Sequence, residues 1–357
     1  MMRFSGGIRS IRRSEGSVPP LIFFPEFSWQ NPKAYPSSPR NIRIPMGLFD
    51  RIRNTGVSGD AGTAAAARKY SEALSCLQYN RYREALRCLD EALTIDPSNA
   101  PAWNDKGRIL SQQGKREEAL ACYDKAIALR PAVAVYYHNK GDALAAFGDT
   151  DAADQCFLAA LQQEPENVIY LTSHARMLAA KGNYKDADEI MIRVCTTEPR
   201  APEHWFNRAT MLYDAGKRED AIACYAAVIE IAPGHAISYF NCGNALRELG
   251  KYEEAVARYD QALKYDRTMT GAMNNKGLAL SCLGRHLEAH DCFRRVLIAL
   301  PTAPDIWYNK GYELLQLKEN ALALTAFDTA LSYCGDADTE LKRRITEGKD
   351  LALHHRK

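Results

Sequence analysis

From residue 66 to residue 337 apolar positions recur in paired amphipathic stretches, and the pair repeats every 34 residues without a gap. Each stretch runs for about 14 residues, an ordinary helix length, so the pattern predicts a succession of helical hairpins. The breaks fall at fixed places. Pro97, Pro131, Pro165, Pro199, Pro233 and Pro301 close six units, and Arg267 occupies the place that is skipped. Proline lacks the N–H a helix needs and clashes with the turn before it, which ends the second stretch. Gly114, Gly148, Gly182, Gly216, Gly250 and Gly284 stand at the fifteenth place, where glycine can take the left-handed conformation that terminates a helix. Small residues fill the eighth place (Ala73, Gly107, Gly141, Ala175, Ala209, Gly243, Gly277, Gly311) and alanine the twentieth, from Ala85 to Ala323. Both would let two helices cross closely. Trp103, Tyr137, Trp205, Tyr239 and Trp307 on the first stretch, and Tyr123, Phe157, Tyr225, Tyr259, Phe293 and Phe327 on the second, mark fixed core places.

The series Trp103, Gly107, Gly114, Ala119, Tyr123, Ala126, Pro131 resembles the tetratricopeptide repeat, and the resemblance spans residues 66–337. It implies an all-α fold, an α-solenoid of eight helix-turn-helix units wound into a right-handed superhelix with first helices lining a concave inner face. The units would be 66–99, 100–133, 134–167, 168–201, 202–235, 236–269, 270–303 and 304–337, within an array of residues 61–337. Departures are local. Lys69 stands where the first unit's aromatic belongs, and Lys318 and Gly335 replace the last unit's glycine and proline. Terminal units of a solenoid are expected to be atypical. Leu171, Met191 and Val194 depart from the pattern in the fourth unit, which makes it a candidate for a softer joint. Residues 338–357 read as a capping helix and tail, with Leu341, Ile345 and Leu351 or Leu353 on its apolar face.

Residues 1–60 lack this period, are rich in proline, serine and glycine, and read as a disordered basic leader. The arginine- and serine-rich stretch 1–45 reads either as a transit peptide or as an overextended start, since Met46-Gly-Leu-Phe-Asp resembles a natural beginning. Leu48, Phe49 and Ile52 beside Arg51 and Arg53 make 46–54 a short amphipathic candidate for a partner or peripheral membrane contact. The leader carries nine basic and four acidic residues, leaving 37 basic against 40 acidic in the remainder of a chain whose net charge is +2. A near-neutral array without charge blocks gives no nucleic-acid footprint, and no apolar run suits a transmembrane segment. Cys88, Cys122, Cys156, Cys224 and Cys292 occupy one repeated packing place. Unpaired thiols of that kind suit a reducing, cytoplasmic setting.

On the first helices, places 2, 5, 6, 9, 12 and 13 fall within an arc of about 120° at 100° per residue, opposite the packing marks. The sixth place reads Asp105, Asn139, Ser173, Asn207, Asn241, Asn275 and Asn309. An asparagine amide both donates and accepts, which matches the alternating N–H and C=O of an extended peptide. In superhelical tetratricopeptide proteins such an asparagine ladder holds a peptide by its main chain. By that resemblance Asn139, Asn207, Asn241, Asn275 and Asn309 would do so here. A second reading has these amides bonding a neighbouring helix. His138, Phe206, Phe240 and Tyr308 at the fifth place, Tyr213 at the twelfth, and Arg108, Asp142, Arg176 and Asn244 at the ninth would tune specificity. The fifth-place lysine of repeats that clamp acidic chaperone tails is missing from every unit.

Catalysis finds no support in the residues. His286 and His290 flank Glu288 in the order His-Leu-Glu-Ala-His, which is not the zinc-protease order. Neither a phosphate-binding glycine loop nor a nucleophile motif occurs, and no cofactor is called for. The expectation is a non-catalytic adaptor that takes an extended segment of a partner protein. The alternative is a targeting or regulatory subunit of an enzyme complex, assembled through its outer helices and leader.

Overall fold

A computed structural model describes residues 61–335 and 338–354. The expectations placed on the leader, on Met46 and on the 46–54 segment lie outside these residues. Among the described residues there are seventeen helices and no strands, paired into about eight helix-turn-helix units followed by a C-terminal helix. They run α1 Ala61–Gln78, α2 Tyr82–Ile95, α3 Ala100–Gln112, α4 Arg116–Leu129, α5 Ala134–Ala146, α6 Thr150–Gln163, α7 Val168–Ala180, α8 Tyr184–Thr197 and α9 Pro202–Asp214. The remainder are α10 Arg218–Ile231, α11 Ala236–Glu248, α12 Tyr252–Tyr265, α13 Thr270–Cys282, α14 His286–Ala299, α15 Pro304–Gln316, α16 Asn320–Tyr333 and α17 Thr339–His354. Two compact units result, one ending at Gly216 and one beginning at Lys217.

The hairpin turns follow from one backbone requirement at the fifteenth place. Six glycines there have φ between 73° and 83°, and the two units without glycine keep the same conformation, with Asn80 at 58° and Lys318 at 63°. Asparagine tolerates this region; lysine is strained in it. The turn is therefore imposed by the packing of the hairpin, and glycine relieves its cost.

In seven of the eight hairpins residue size at the eighth place answers the residue opposite; the fifth, with Ala209 and Tyr225, does not follow. A Cβ added at Gly107, Gly141, Gly243, Gly277 or Gly311 would meet the ring of Tyr123, Phe157, Tyr259, Phe293 or Phe327 at 2.6–3.0 Å. Where the second helix carries an aliphatic side chain instead, alanine takes the glycine's place: Ala73 shares a core cluster with Leu89, and Ala175 with Met191. The fourth repeat's departures are thus a matched exchange in a continuous core. Tryptophan at the fourth place has a second task. Its indole N–H donates to the carbonyl of the proline closing the preceding repeat, Trp103 to Pro97, Trp205 to Pro199 and Trp307 to Pro301, at 2.8–3.0 Å.

Successive repeats are also pinned by charge. The seventh-place lysine reaches back to the twenty-fifth-place aspartate of the preceding repeat in Lys106–Asp90, Lys140–Asp124 and Lys276–Asp260, each at 2.6 Å. Along the fourth and fifth repeats the acid sits one turn earlier, in His174–Asp154 and Arg208–Asp188. At the C-terminal end α17 buries Leu341, Ile345 and Ala352 against Tyr308, Leu314, Leu315 and Phe327. Leu351 joins that cluster and Leu353 stays half exposed. Gly348 on α17 allows close approach, for its Cβ would lie 2.8 Å from the Phe327 ring.

Candidate peptide-contact face

The sixth-place residues do not form an open row. In the unit that ends at Gly216 they knit neighbouring repeats together through one recurring bond, from the fifth place of one repeat to the sixth of the next. The Tyr70 hydroxyl donates to Asp105 Oδ2 at 2.9 Å, Asn139 Nδ2 donates to Asn104 Oδ1 at 2.9 Å, and His138 Nε2 and Ser173 Oγ share a bond of 3.0 Å. Each spans 35 residues of sequence. The reading that these groups bond a neighbouring helix therefore holds at three successive seams.

Burial corrects several expectations of exposure. Asp105 is buried beneath Tyr70, where desolvation raises its carboxyl's pKa against the pull of Arg108, whose Nη1 lies 3.2 Å away. That pair removes Arg108 from the set of unengaged ninth-place charges, whereas Arg176 is exposed. His138 is buried between the rings of Phe157 and Tyr170. Tyr308 and Asn309 are each 1% exposed. The reason for Tyr308 is the C-terminal helix, which draws it into a core with Phe327, Leu341 and Ile345. The carbonyl of Asn309 is buried without a partner.

In the unit that begins at Lys217 the sixth-place amide takes a different route. Phe240 at the fifth place cannot accept a bond, and its ring instead packs 6.2 Å from that of Tyr259. Asn275 Nδ2 donates to Asn244 Oδ1 at 2.8 Å, while the Tyr259 hydroxyl donates to the same oxygen at 2.9 Å and Asn274 donates to Asn275 Oδ1 at 3.2 Å. Asn275 still holds one amide hydrogen and one carbonyl lone pair beyond those bonds. Asn207 and Asn241 are half buried and make no side-chain hydrogen bond among the described residues. Phe206 is half buried as well. Beside these polar groups the second place is apolar and exposed at Val135 and Ile169 in one unit and at Ile237 in the other.

The His138 bond carries a pH dependence. Burial lowers the imidazole's pKa below its ordinary 6.5, and Arg176 lowers it further, against the opposing carboxylate of Asp142 at 3.7 Å. The unfolded chain then binds this proton more tightly than the folded one. The contribution to stability is complete above pH 6.5 and is lost as pH falls through the depressed value. Protection factors in α5 and α7 should fall between pH 7.5 and pH 5, and His138→Gln should flatten that change.

Models of the tetratricopeptide repeat match residues 100–132, 138–190, 201–268 and 275–339. The chain belongs to the tetratricopeptide repeat family. No curated relative matches the sequence. Among solved structures, a tetratricopeptide repeat protein from Parabacteroides merdae is 16% identical, with a TM-score of 0.51 over 81% of this chain and 99% of that one. PilW, described as a type IV pilus biogenesis factor, is 19% identical, with a TM-score of 0.53 over 58% of this chain and 96% of its own. YrrB, described as having an unusual peptide-binding site, is 25% identical, with a TM-score of 0.44 over 53% of this chain and 97% of its own. The first two of these likenesses bear on the fold alone. Proteins of the tetratricopeptide repeat family typically mediate protein–protein interactions and are usually non-catalytic. Among the described residues no cluster of three or more histidine, cysteine, aspartate or glutamate side chains could hold a metal ion. His286 is engaged with Glu313 on α15 at 2.8 Å, away from any shared site with His290. Among the described residues no helix is long and apolar enough to cross a membrane.

Proposed function

We propose that this protein is a non-catalytic adaptor whose first-helix face takes an extended segment of a partner protein. In the unit that begins at Lys217, Asn241 and Asn275 contact the segment's main chain; in the unit that ends at Gly216, Asn207 offers the same groups on a face of its own. The observation that carries this reading is the division of labour along the sixth place. Some of its amides are spent on neighbouring repeats, while Asn207 and Asn241 keep a full set of two donors and a carbonyl beside exposed aliphatic side chains. A half-buried amide with no internal partner is costly unless water or a ligand satisfies it. A peptide backbone supplies both kinds of partner at once.

Phe206 and Phe240 at the fifth place, and Val135, Ile169 and Ile237 at the second, would select apolar side chains of the segment. Arg176 would favour an acidic one. Asp105, Arg108, Tyr308 and Asn309 take no part, because they are engaged or covered within the fold. Asn244 acts through Asn275, whose orientation it fixes.

The test is titration of a partner segment against the wild-type chain and the Asn207→Ala/Asn241→Ala/Asn275→Ala variant. Two lost backbone contacts in the unit that begins at Lys217, at about 1 kcal/mol each, should weaken binding there by about thirtyfold with helicity unchanged. Equal affinity would remove the assignment.

A further inference from the structure

The repeat supplies its own controls for what a seam between hairpins normally contains, and the seam between the seventh and eighth repeats breaks the rule. Three other seams place a lysine from a first helix on an aspartate of the preceding second helix, as in Lys140–Asp124. Those two residues line an open cavity of about 400 Å³ between α4 and α6, floored by Tyr137 of α5 and walled by Leu120 and Ala152. Five units further on, the same places hold Lys310 for the lysine, Arg294 for the aspartate, Trp307 for Tyr137, His290 for Leu120 and Leu322 for Ala152. The acid has become a base. Lys310 has no acidic partner among the described residues and lies over the Trp307 ring, 4.6 Å from its centre.

Burial and the Arg294 charge both lower the lysine's pKa, and burial, followed by the charges of Lys310 and Arg294, lowers that of His290. The one carboxylate close by is Asp291, which pairs with Arg294 at 2.6 Å along α14 and does not reach the lysine. Three basic side chains thus converge where three other seams hold a neutral lysine–aspartate pair. The rim changes character as well. Leu287 is 71% and Ile298 76% exposed. They lie eleven residues apart and so share one stripe of α14. At the place of Leu287 the other repeats carry Arg83, Glu117, Asp151, Lys185, Glu219, Glu253 and Ala321. Leu322 on the opposite wall is also exposed. Single exposed aliphatic residues mean little. Three around a basic cleft, at places where the repeat elsewhere puts mostly polar groups, are a surface.

We propose that this outer seam is a second docking surface, which takes an acidic segment of a partner protein. One carboxylate of that segment sits between Arg294 and Lys310, where the missing aspartate would be, and a neighbouring apolar side chain rests on Leu287, Ile298 and Leu322. The surface lies on the second-helix side of the hairpins and is separate from the asparagine-bearing face. One chain can therefore hold two partner segments at once.

The probe is a fluorescent ten-residue peptide of eight glutamates and two leucines, titrated against the full chain at low and high salt. Binding should weaken with salt, as charge pairing at a half-exposed site requires. Arg294→Asp recreates the sibling seam, so its fold is secured by precedent within the chain, and it should lower affinity at least tenfold. Leu287→Glu, at a place where three siblings carry glutamate and two others aspartate or lysine, should lower it several-fold. The Asn207→Ala/Asn241→Ala/Asn275→Ala variant should bind this probe as wild type does, which separates the proposal from the first-helix reading. Unchanged affinity in Arg294→Asp, equal binding of a peptide with lysine in place of glutamate, or displacement by an equal concentration of inorganic phosphate would each overturn it.

Discussion

Phe327→Ala should cost about 3–5 kcal/mol and release the C-terminal end of the array while leaving the N-terminal repeats folded. The ring is 1% exposed and is gripped from two sides by residues without side chains, Gly311 on α15 and Gly348 on α17. It also stacks at a tilt 5.7 Å from Tyr308. Two backbones have been brought close to receive it, so neighbouring side chains cannot collapse into the space it leaves. In a repeat protein stability is close to a sum of local terms, and the loss should stay local. Hydrogen exchange in α15, α16 and α17 should accelerate by two orders of magnitude or more, with α3 to α6 unchanged. Uniform acceleration throughout would mean that the array melts as one body and that this end has no stability of its own.

His286→Ala should cost about 1–3 kcal/mol at pH 7.5, the range for leaving a buried hydrogen-bonding group without its partner. Glu313 is wholly buried at the tenth place of the eighth repeat, where the preceding six carry Ile109, Ala143, Met177, Met211, Ala245 and Ala279. Its Oε2 lies 2.8 Å from His286 Nδ1, and its Oε1 has no hydrogen-bond partner. Burial raises the carboxyl's pKa above its ordinary value, against the pull of Ser281 and His286. The folded chain therefore holds this proton more tightly than the unfolded chain. Its contribution is full below the ordinary carboxylate value of about 4.3 and is lost as pH rises through the raised one. Loss of the histidine leaves that cost uncompensated, so the variant should lose far less stability at pH 4.5 than at pH 7.5. Adding Glu313→Met, which restores the residue of the fourth and fifth repeats, should return most of it. Chemical denaturation at the two pH values measures both effects; a loss independent of pH would show that the pair carries no buried charge.

The fold was legible in the sequence because each architectural constraint recurs with the repeat. A proline, a glycine or an alanine that means little once means a hairpin when it returns at 34-residue spacing. Even the departures were readable as to place. What could not be read was their compensation, since Ala175 packs in one cluster with Met191 where five other repeats set glycine against an aromatic ring, and Lys318 holds a left-handed turn that its side chain disfavours.

Which first-helix side chains are engaged within the fold was only partly legible, for one physical reason. Helix geometry tells which places leave the packing seam, but not which side chains on them are spent on the next repeat. Tyr70–Asp105, Asn104–Asn139 and His138–Ser173 are bonds between places that a single helical wheel shows side by side. A signal was present, since polar residues at the fifth place of one unit and the sixth of the next, 35 residues apart, mark the bonded seams. The covering of Tyr308 and Asn309 had no local signal, because it depends on where α17 folds back. The charge reversal at Arg294 was visible only once the lysine–aspartate seam had been seen elsewhere.

The most direct measurement of the central claim is site-specific photocrosslinking of the full-length chain in cell extract, with benzoylphenylalanine placed at Phe240 on the first-helix face or at Glu253 on an outer helix. The account predicts a protein adduct from position 240 that disappears in the Asn207→Ala/Asn241→Ala/Asn275→Ala background, and whose crosslinked partner residues fall in one extended segment. Adducts from position 253 alone, or adducts from 240 that persist undiminished in that background, would contradict it.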